Sequence, residues 1–265
     1  MKLAGYEVIR KIASGGMSDV FQAKRLYDNK LVAVKLMRDS MAKNKEAVKR
    51  FYAEAELVMS LNHPNIVEVF SLERNKKTPF ITMEYIEGKT LRELLNKKRL
   101  LDNQTIINIS LDITKGLEYI HSKGIIHKDI KPKNILIANT TAKISDFGIA
   151  SYGLTAYSHR QGAPSYMSPE QVKGRDIDHR TDIYSLGITM YEMATGQVPF
   201  KGSGDREILT KHLGLKPRPI KQINGKIHPN IESTIMKMLE KLPANRYQTA
   251  SMLQLDLSEI NMELS

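Results

Sequence analysis

The chain of 265 residues contains no cysteine, which excludes a disulfide framework, a thiolate zinc site and thiol redox chemistry. It has no apolar run of about eighteen residues, so no membrane-spanning segment is expected. The opening Met1-Lys2-Leu3-Ala4-Gly5-Tyr6-Glu7 reaches charge too early for a secretory signal, and no internal repeat or low-complexity tract follows it. These absences suit a cytoplasmic chain. Long blocks of one charge sign are missing as well. The formal charge is +11, but its clusters, Lys76-Lys77 and Lys97-Lys98-Arg99, are short. That pattern reads as a solvated surface, and with no zinc-ligand set or aromatic RNA-binding motif no nucleic-acid partner is expected. What is present is a 41% apolar share, enough for one large domain or two modest lobes.

Alternation of apolar and polar residues predicts three antiparallel strands, over Tyr6-Glu7-Val8-Ile9-Arg10-Lys11-Ile12, Asp19-Val20-Phe21-Gln22-Ala23-Lys24 and Leu31-Val32-Ala33-Val34-Lys35-Leu36. Ala47, Val48, Phe51, Ala55 and Val58 then recur at helical spacing, and Asn62-His63-Pro64 stops that helix. Apolar runs at 65–70 and 79–84 complete a small sheet. Composition changes near Gly88, and helices dominate from there. One stripe runs Ile106, Ile109, Ile113, Leu117, Ile120, and Gly124 supplies the glycine expected after a helix C-terminus. The irregular stretches 125–134 and 146–170 carry conspicuous polar residues, as functional loops on a rigid scaffold do.

The segment Ile126-His127-Lys128-Asp129-Ile130-Lys131-Pro132-Lys133-Asn134 packs an acid, a base and an amide closely before a short strand, an arrangement suited to a charged ligand. Twelve residues on from Asn134, Ile144-Ser145-Asp146-Phe147-Gly148 ends a second strand with an aspartate, and the glycine permits an unusual turn. In this order and at these separations the chain resembles the eukaryotic-type protein kinases over almost its whole length. The stretch Gly15-Gly16-Met17-Ser18-Asp19-Val20 is similar to the bacterial serine/threonine branch. Any one motif recurs by chance in unrelated chains, and the ordered set carries the resemblance.

The resemblance implies an α+β, bilobal fold: one kinase domain over 1–265, with a β-rich lobe at 1–84 bearing one key helix, a hinge at 85–88 and a helical lobe at 89–265. It implies ATP as the phosphate donor and Mg²⁺, with Mn²⁺ as an alternative ion. Asp129 corresponds to the residue that orients the substrate hydroxyl, and Asn134 and Asp146 to the hard-oxygen magnesium ligands. Lys35 corresponds to the lysine on the α- and β-phosphates, and Glu54 to its helix partner. Lys131 corresponds to a phosphate-contacting lysine that favours serine and threonine acceptors. Ile12, Ala13, Ser14, Gly15, Gly16, Met17, Ser18 and Val20 would form the glycine-rich phosphate cover, although Ala13 and Ser18 stand where relatives carry glycine. Met83, Glu84, Tyr85 and Ile86 would form the hinge facing adenine, with Val20, Ala33 and Leu136 sandwiching its ring. Gly88-Lys89-Thr90 is not a P-loop, because Met83 fills the required upstream glycine position. Val58, Val69, His127 and Phe147 correspond to an apolar stack, which makes His127 architectural.

Ser168-Pro169-Glu170 would end the activation segment, with Arg246 as the ion-pair partner of Glu170, and Asp182 would brace the catalytic loop. The resemblance further implies protein substrates, self-phosphorylation in trans or through a homodimer at Thr155 or Ser158, and room for a longer, membrane-anchored parent chain. Two residues depart from the pattern. Lys128 replaces an arginine, and lysine lacks the bidentate fork for a phosphate. Ala163 replaces a hydroxyl that in relatives contacts the catalytic aspartate and lysine. The alternative is therefore a weakly active or inactive pseudokinase, a nucleotide- or partner-binding module. Retention of Lys35, Glu54, Asp129, Lys131, Asn134 and Asp146 favours the active enzyme.

Overall fold

The computed structural model describes residues 2–74, 79–147 and 163–264. The chain divides into two compact units, Met1–Glu87 and Gly88–Ser265. The first unit is a six-stranded antiparallel sheet: β1 (Lys2–Leu3), β2 (Tyr6–Ser14), β3 (Ser18–Arg25), β4 (Leu31–Met37), β5 (Val69–Glu73) and β6 (Phe80–Glu84), in the order β1-β2-β3-β4-β6-β5. A short helix α1 (Asp39–Ala42) and the longer α2 (Lys45–Met59) join β4 to β5. The Asn44 side chain caps α2 by accepting from the Glu46 and Ala47 N–H groups. Ala47, Phe51, Ala55 and Val58 form its buried stripe.

Alternation along β4 divides its side chains between two clusters. Val32 and Val34 pack with Ala23 and Phe80, while Met37 packs with Phe51, Ala55 and Ile81 under α2. The apolar run at 65–70 is not one strand, contrary to its sequence pattern. Asn65, Ile66 and Val67 are buried ahead of the strand, Ile66 in a single bridge, and β5 begins at Val69 and extends to Glu73. A short apolar run is compatible with either outcome, because burial alone carries no period.

The second unit carries a three-stranded antiparallel sheet, β7 (Lys89–Thr90), β8 (Ile135–Ala138) and β9 (Thr141–Ile144), in that order. Its helices are α3 (Leu91–Lys97), α4 (Asn103–Ser122), α5 (Pro169–Lys173), α6 (Arg180–Thr195), α7 (Asp205–Gly214), α8 (Pro229–Met238) and α9 (Ala250–Leu264). The stripe Ile106, Ile109, Ile113, Leu117, Ile120 of α4 is buried. Gly124, in left-handed backbone at φ 71°, ends α4 by donating to the His121 carbonyl. Helix α6 is buried along its length from Thr181, which marks it as the central helix of this unit.

Gly88 and Thr90 have structural explanations. A Cβ at Gly88 would lie 2.0 Å from the Ile137 carbonyl oxygen, so only glycine allows β7 to approach β8 there. Thr90 closes a capping box with Glu93 at the start of α3. Among the described residues no helix is long and apolar enough to cross a membrane.

Candidate active site

In the first unit the strand register brings four of the expected residues onto one face. Val20 lies opposite Lys35, and Ala33 lies opposite Met83. Cross-strand partners project to the same side of a sheet, so Val20, Ala33, Lys35 and Met83 form a patch, and Val32 and Val34 face the other way. Lys35 Nζ donates to Glu54 Oε1 at 2.8 Å, and each side chain is 14% exposed. At that burial an ammonium needs its partner, and α2 supplies it.

Ile12, Ala13 and Ser14 end β2, Gly15, Gly16 and Met17 form the turn, and Ser18 opens β3. The turn closes through Gly15 N–H to the Ser18 carbonyl at 2.8 Å, and the Arg38 N–H donates to the Met17 carbonyl at 3.0 Å. Asp19 ties the hairpin further, accepting from Lys11 Nζ on one oxygen and from the Arg38 guanidinium on the other. Those bonds hold its carboxyl down at about 2. Sequence reading missed Asp19 and Arg38 as anchors of this turn. Glu84 ends β6 and spends its N–H on the Glu68 carbonyl at 2.8 Å, and the partly buried Tyr85 and Ile86 follow.

In the second unit Asp182 of α6, fully buried, organises the loop before β8. Its Oδ2 accepts from the His127 N–H at 2.8 Å and lies 2.9 Å from His121 Nε2, while its Oδ1 accepts from the Lys128 N–H at 2.7 Å. Burial alone would raise its carboxyl, but the His121 contact and the His127 N–H outweigh it and hold the group below the usual range. Lys128 adopts φ 66°, a left-handed conformation disfavoured for a side chain with a Cβ. Burial lowers its ammonium, opposed by Asp182.

His127 is fully buried. Its Nδ1 accepts from the Asp129 N–H at 3.2 Å, and its Nε2 lies 3.2 Å from the Ser145 carbonyl, a pattern that puts the proton on Nε2. Burial depresses its pKa, so the ring stays neutral and packs on Phe147 at 4.7 Å between centroids.

Asp129 Oδ2 accepts from Lys131 Nζ at 2.6 Å and from Asn134 Nδ2 at 2.9 Å. Asn134 Nδ2 also reaches the Asp129 carbonyl at 2.9 Å and the Asp146 carbonyl at 3.4 Å. With the NH₂ end so committed, the amide oxygen of Asn134 is left as an acceptor for a cation. Asp146, exposed, follows β9 with φ 52°. The unusual backbone expected near Gly148 therefore sits already at Asp146, and Gly148 itself lies outside the described residues, as do Ser151, Thr155 and Ser158. Leu136 is on β8, partly buried.

Past the undescribed stretch, Ala163, Tyr166 and Met167 line a cavity of about 10 Å³ with Lys128, Asp129, Ile130 and Ser185. Ser168 and Gln171 form a capping box at α5. Glu170 pairs with Arg246 at 2.7 and 2.9 Å, the arginine side chain being wholly buried. Arg92 forks onto Glu192 at 2.8 Å on both oxygens, and the Tyr166 hydroxyl sits between them, 2.5 Å from each. Sequence reading missed this triad. Its single clue was Glu192, a charged residue near the end of the buried α6.

Comparison with known proteins matches the model of the protein kinase domain to residues 6–257. A protein named probable serine/threonine-protein kinase from Clostridium perfringens is 42% identical over 97% of this chain and 38% of its own length. Serine/threonine-protein kinase PrkC of Bacillus subtilis is 36% identical over 95% of this chain and 40% of its own. Serine/threonine-protein kinase PknB of Mycobacterium leprae is 37% identical over 97% and 43%. The chain thus spans about two fifths of the length of these relatives.

Proposed function

Because the chain belongs to the protein kinase domain family, we propose that it transfers the γ-phosphate of ATP to serine or threonine hydroxyls of proteins, its own included. The observation that carries this reading is the setting of Asp129. Lys131 and Asn134 both bind Oδ2, so Oδ1 is the oxygen left to accept a hydrogen bond from the acceptor hydroxyl and orient it for in-line attack. The O–H proton passes toward Asp129 as the oxygen–phosphorus bond forms, and ADP departs with the electrons of the broken bond. Lys131, once ATP is present, holds the transferring phosphoryl group electrostatically, and Lys35, fixed by Glu54, holds the α- and β-phosphates. The serine/threonine names of the relatives support the choice of acceptor.

A magnesium ion fits the donors. The oriented amide oxygen of Asn134 and the exposed carboxylate of Asp146 are hard oxygens, and the remaining ligands would be phosphate oxygens and water. When bound, the ion neutralises charge on the phosphate chain. The hairpin 12–18 would cover the phosphates, while Met83, Glu84, Tyr85 and Ile86, with Val20, Ala33 and Leu136, would receive adenine. A chain working on ATP and lacking cysteine accords with the cytoplasm.

The test is incubation with labelled ATP, Mg²⁺ and a generic basic protein, comparing wild type with Asp129→Asn. Transfer by the wild type and its loss, by about a hundredfold or more, in a folded variant is expected. Transfer retained in the variant would remove Asp129 from the mechanism. Nucleotide binding without transfer by the wild type would make the chain a pseudokinase.

A further inference from the structure

Gln171 stands in the first turn of α5, and the two ends of its side-chain amide are committed in different directions. Its Oε1 accepts from the Ser168 N–H at 2.9 Å, closing the helix cap. Its Nε2 donates to the backbone carbonyl of Lys128 at 2.9 Å. That carbonyl belongs to the peptide plane joining Lys128 to Asp129, and the N–H of the same plane donates to His127 Nδ1. The plane that leads into Asp129 is therefore gripped at its oxygen by Gln171 and at its nitrogen by His127.

Such a grip has a purpose. Lys128 lies in left-handed backbone, at φ 66°, and Asp182 takes only its N–H. A residue in this region stays there only when its surroundings hold it. Nearby, Ala163 contributes a methyl group to the cavity it shares with Lys128 and Asp129, so it offers no hydroxyl to steady the catalytic loop. Gln171 provides a direct hydrogen bond from the 163–173 stretch to that loop.

We propose that Gln171 is a positioning residue for phosphoryl transfer, fixing the Lys128–Asp129 peptide plane and through it the direction of Asp129 Oδ1. The inference rests on the reading of Asp129 given above. Positioning of the reacting groups is the main contribution a protein makes to this reaction, so a loosened plane should slow turnover rather than weaken nucleotide binding.

Gln171→Glu separates this role from helix capping. A glutamate at this position still accepts from the Ser168 N–H, as in an ordinary capping box, but it sets a carboxylate oxygen against the Lys128 carbonyl where a donor stood. Gln171→Met loses both contacts. The measurements are kcat, KM for ATP and melting temperature, with the labelled-ATP assay on the whole chain. In Gln171→Glu, kcat should fall about tenfold or more while KM for ATP stays at the wild-type value and melting falls less than in Gln171→Met. Gln171→Met should be as slow and should also melt lower.

A Glu variant with kcat within about twofold of wild type overturns the proposal, and so does a slow Met variant beside a normal Glu variant, since Gln171 would then be a cap alone. A Glu variant that loses nucleotide binding along with turnover overturns it too. Should Gln171→Glu fail to fold, Gln171→Met decides: a lower kcat at unchanged KM for ATP supports the proposal, and an unchanged kcat ends it. Undiminished transfer by Asp129→Asn would refute the underlying reading of Asp129 independently of either variant.

Discussion

Ala163 shows how much a single methyl group can decide. It borders the cavity of about 10 Å³ that Asp129 and Lys128 also line, so Ala163→Thr has room for a hydroxyl beside the loop that carries Asp129. A hydrogen bond to a charged group contributes roughly 1.5–3 kcal/mol, but Asp129 Oδ2 is already held by Lys131 and Asn134, so only part of that gain is open. Turnover at saturating ATP should rise by about three- to tenfold in Ala163→Thr, with KM for ATP unchanged. Steady-state kinetics decide the matter, and equal or slower turnover in a folded variant would refute it. At this scale much was legible in the sequence, since Asp129, Lys131, Asn134 and Asp146 stand out as acids, bases and amides in short loops. The left-handed backbone of Lys128 was not, because lysine is not a residue type that announces such a conformation, and at Asp146 the residue type permits it without requiring it.

Among the elements, α5 depends on a charge pair far away in the chain. Arg246 uses all five donors: two on Glu170, and the others on the carbonyls of Glu240, Arg180 and Lys241. Burial would raise the Glu170 carboxyl, yet Arg246 and the Thr181 hydroxyl hold it below its usual range. Removing the arginine strands a buried carboxylate, so Arg246→Ala should cost about 3–5 kcal/mol in urea unfolding. Arg246→Lys should recover little of that, because an ammonium cannot replace a planar fork. A midpoint for Arg246→Ala equal to wild type would show that the pair contributes nothing to stability. Helices α2 and α4 and the strands β2, β3 and β4 followed from local periodicity, and Asn44, Thr90 and Asp102 behave as caps. The run at 65–70 failed as one strand because only its last two residues join β5, while Ile66 and Val67 are buried ahead of it, a matter settled by packing against distant segments.

For the whole molecule, acid sensitivity follows from buried groups that resist protonation. His212 is fully buried against Tyr184 and Phe200, and burial, with the Lys241 ammonium, pushes its pKa down to about 3 from 6.5. The folded-state value lies below the unfolded one, so the unfolded chain binds the proton first as pH falls. Stability from this group is complete above about 6.5 and drains away toward about 3. His127, Asp182 and Glu170, all depressed, act in the same direction. His212→Phe should therefore flatten the stability profile between pH 6 and 4 by about 1 kcal/mol per pH unit, read from urea midpoints across that window. An unchanged slope would mean that His212 is protonated without cost. The sequence by itself determined the class of the fold, a β-rich first part followed by a helical second part, because strand and helix periods record it and the ordered motifs resemble the kinases; through that resemblance it also named the candidate phosphate-handling groups. Only the tertiary structure decided that Asn134 presents its oxygen, that Gln171 reaches Lys128, and that Arg92 meets Glu192 across 100 positions of chain. Such contacts depend on where helices and loops pack in space, and no local pattern of residues records that.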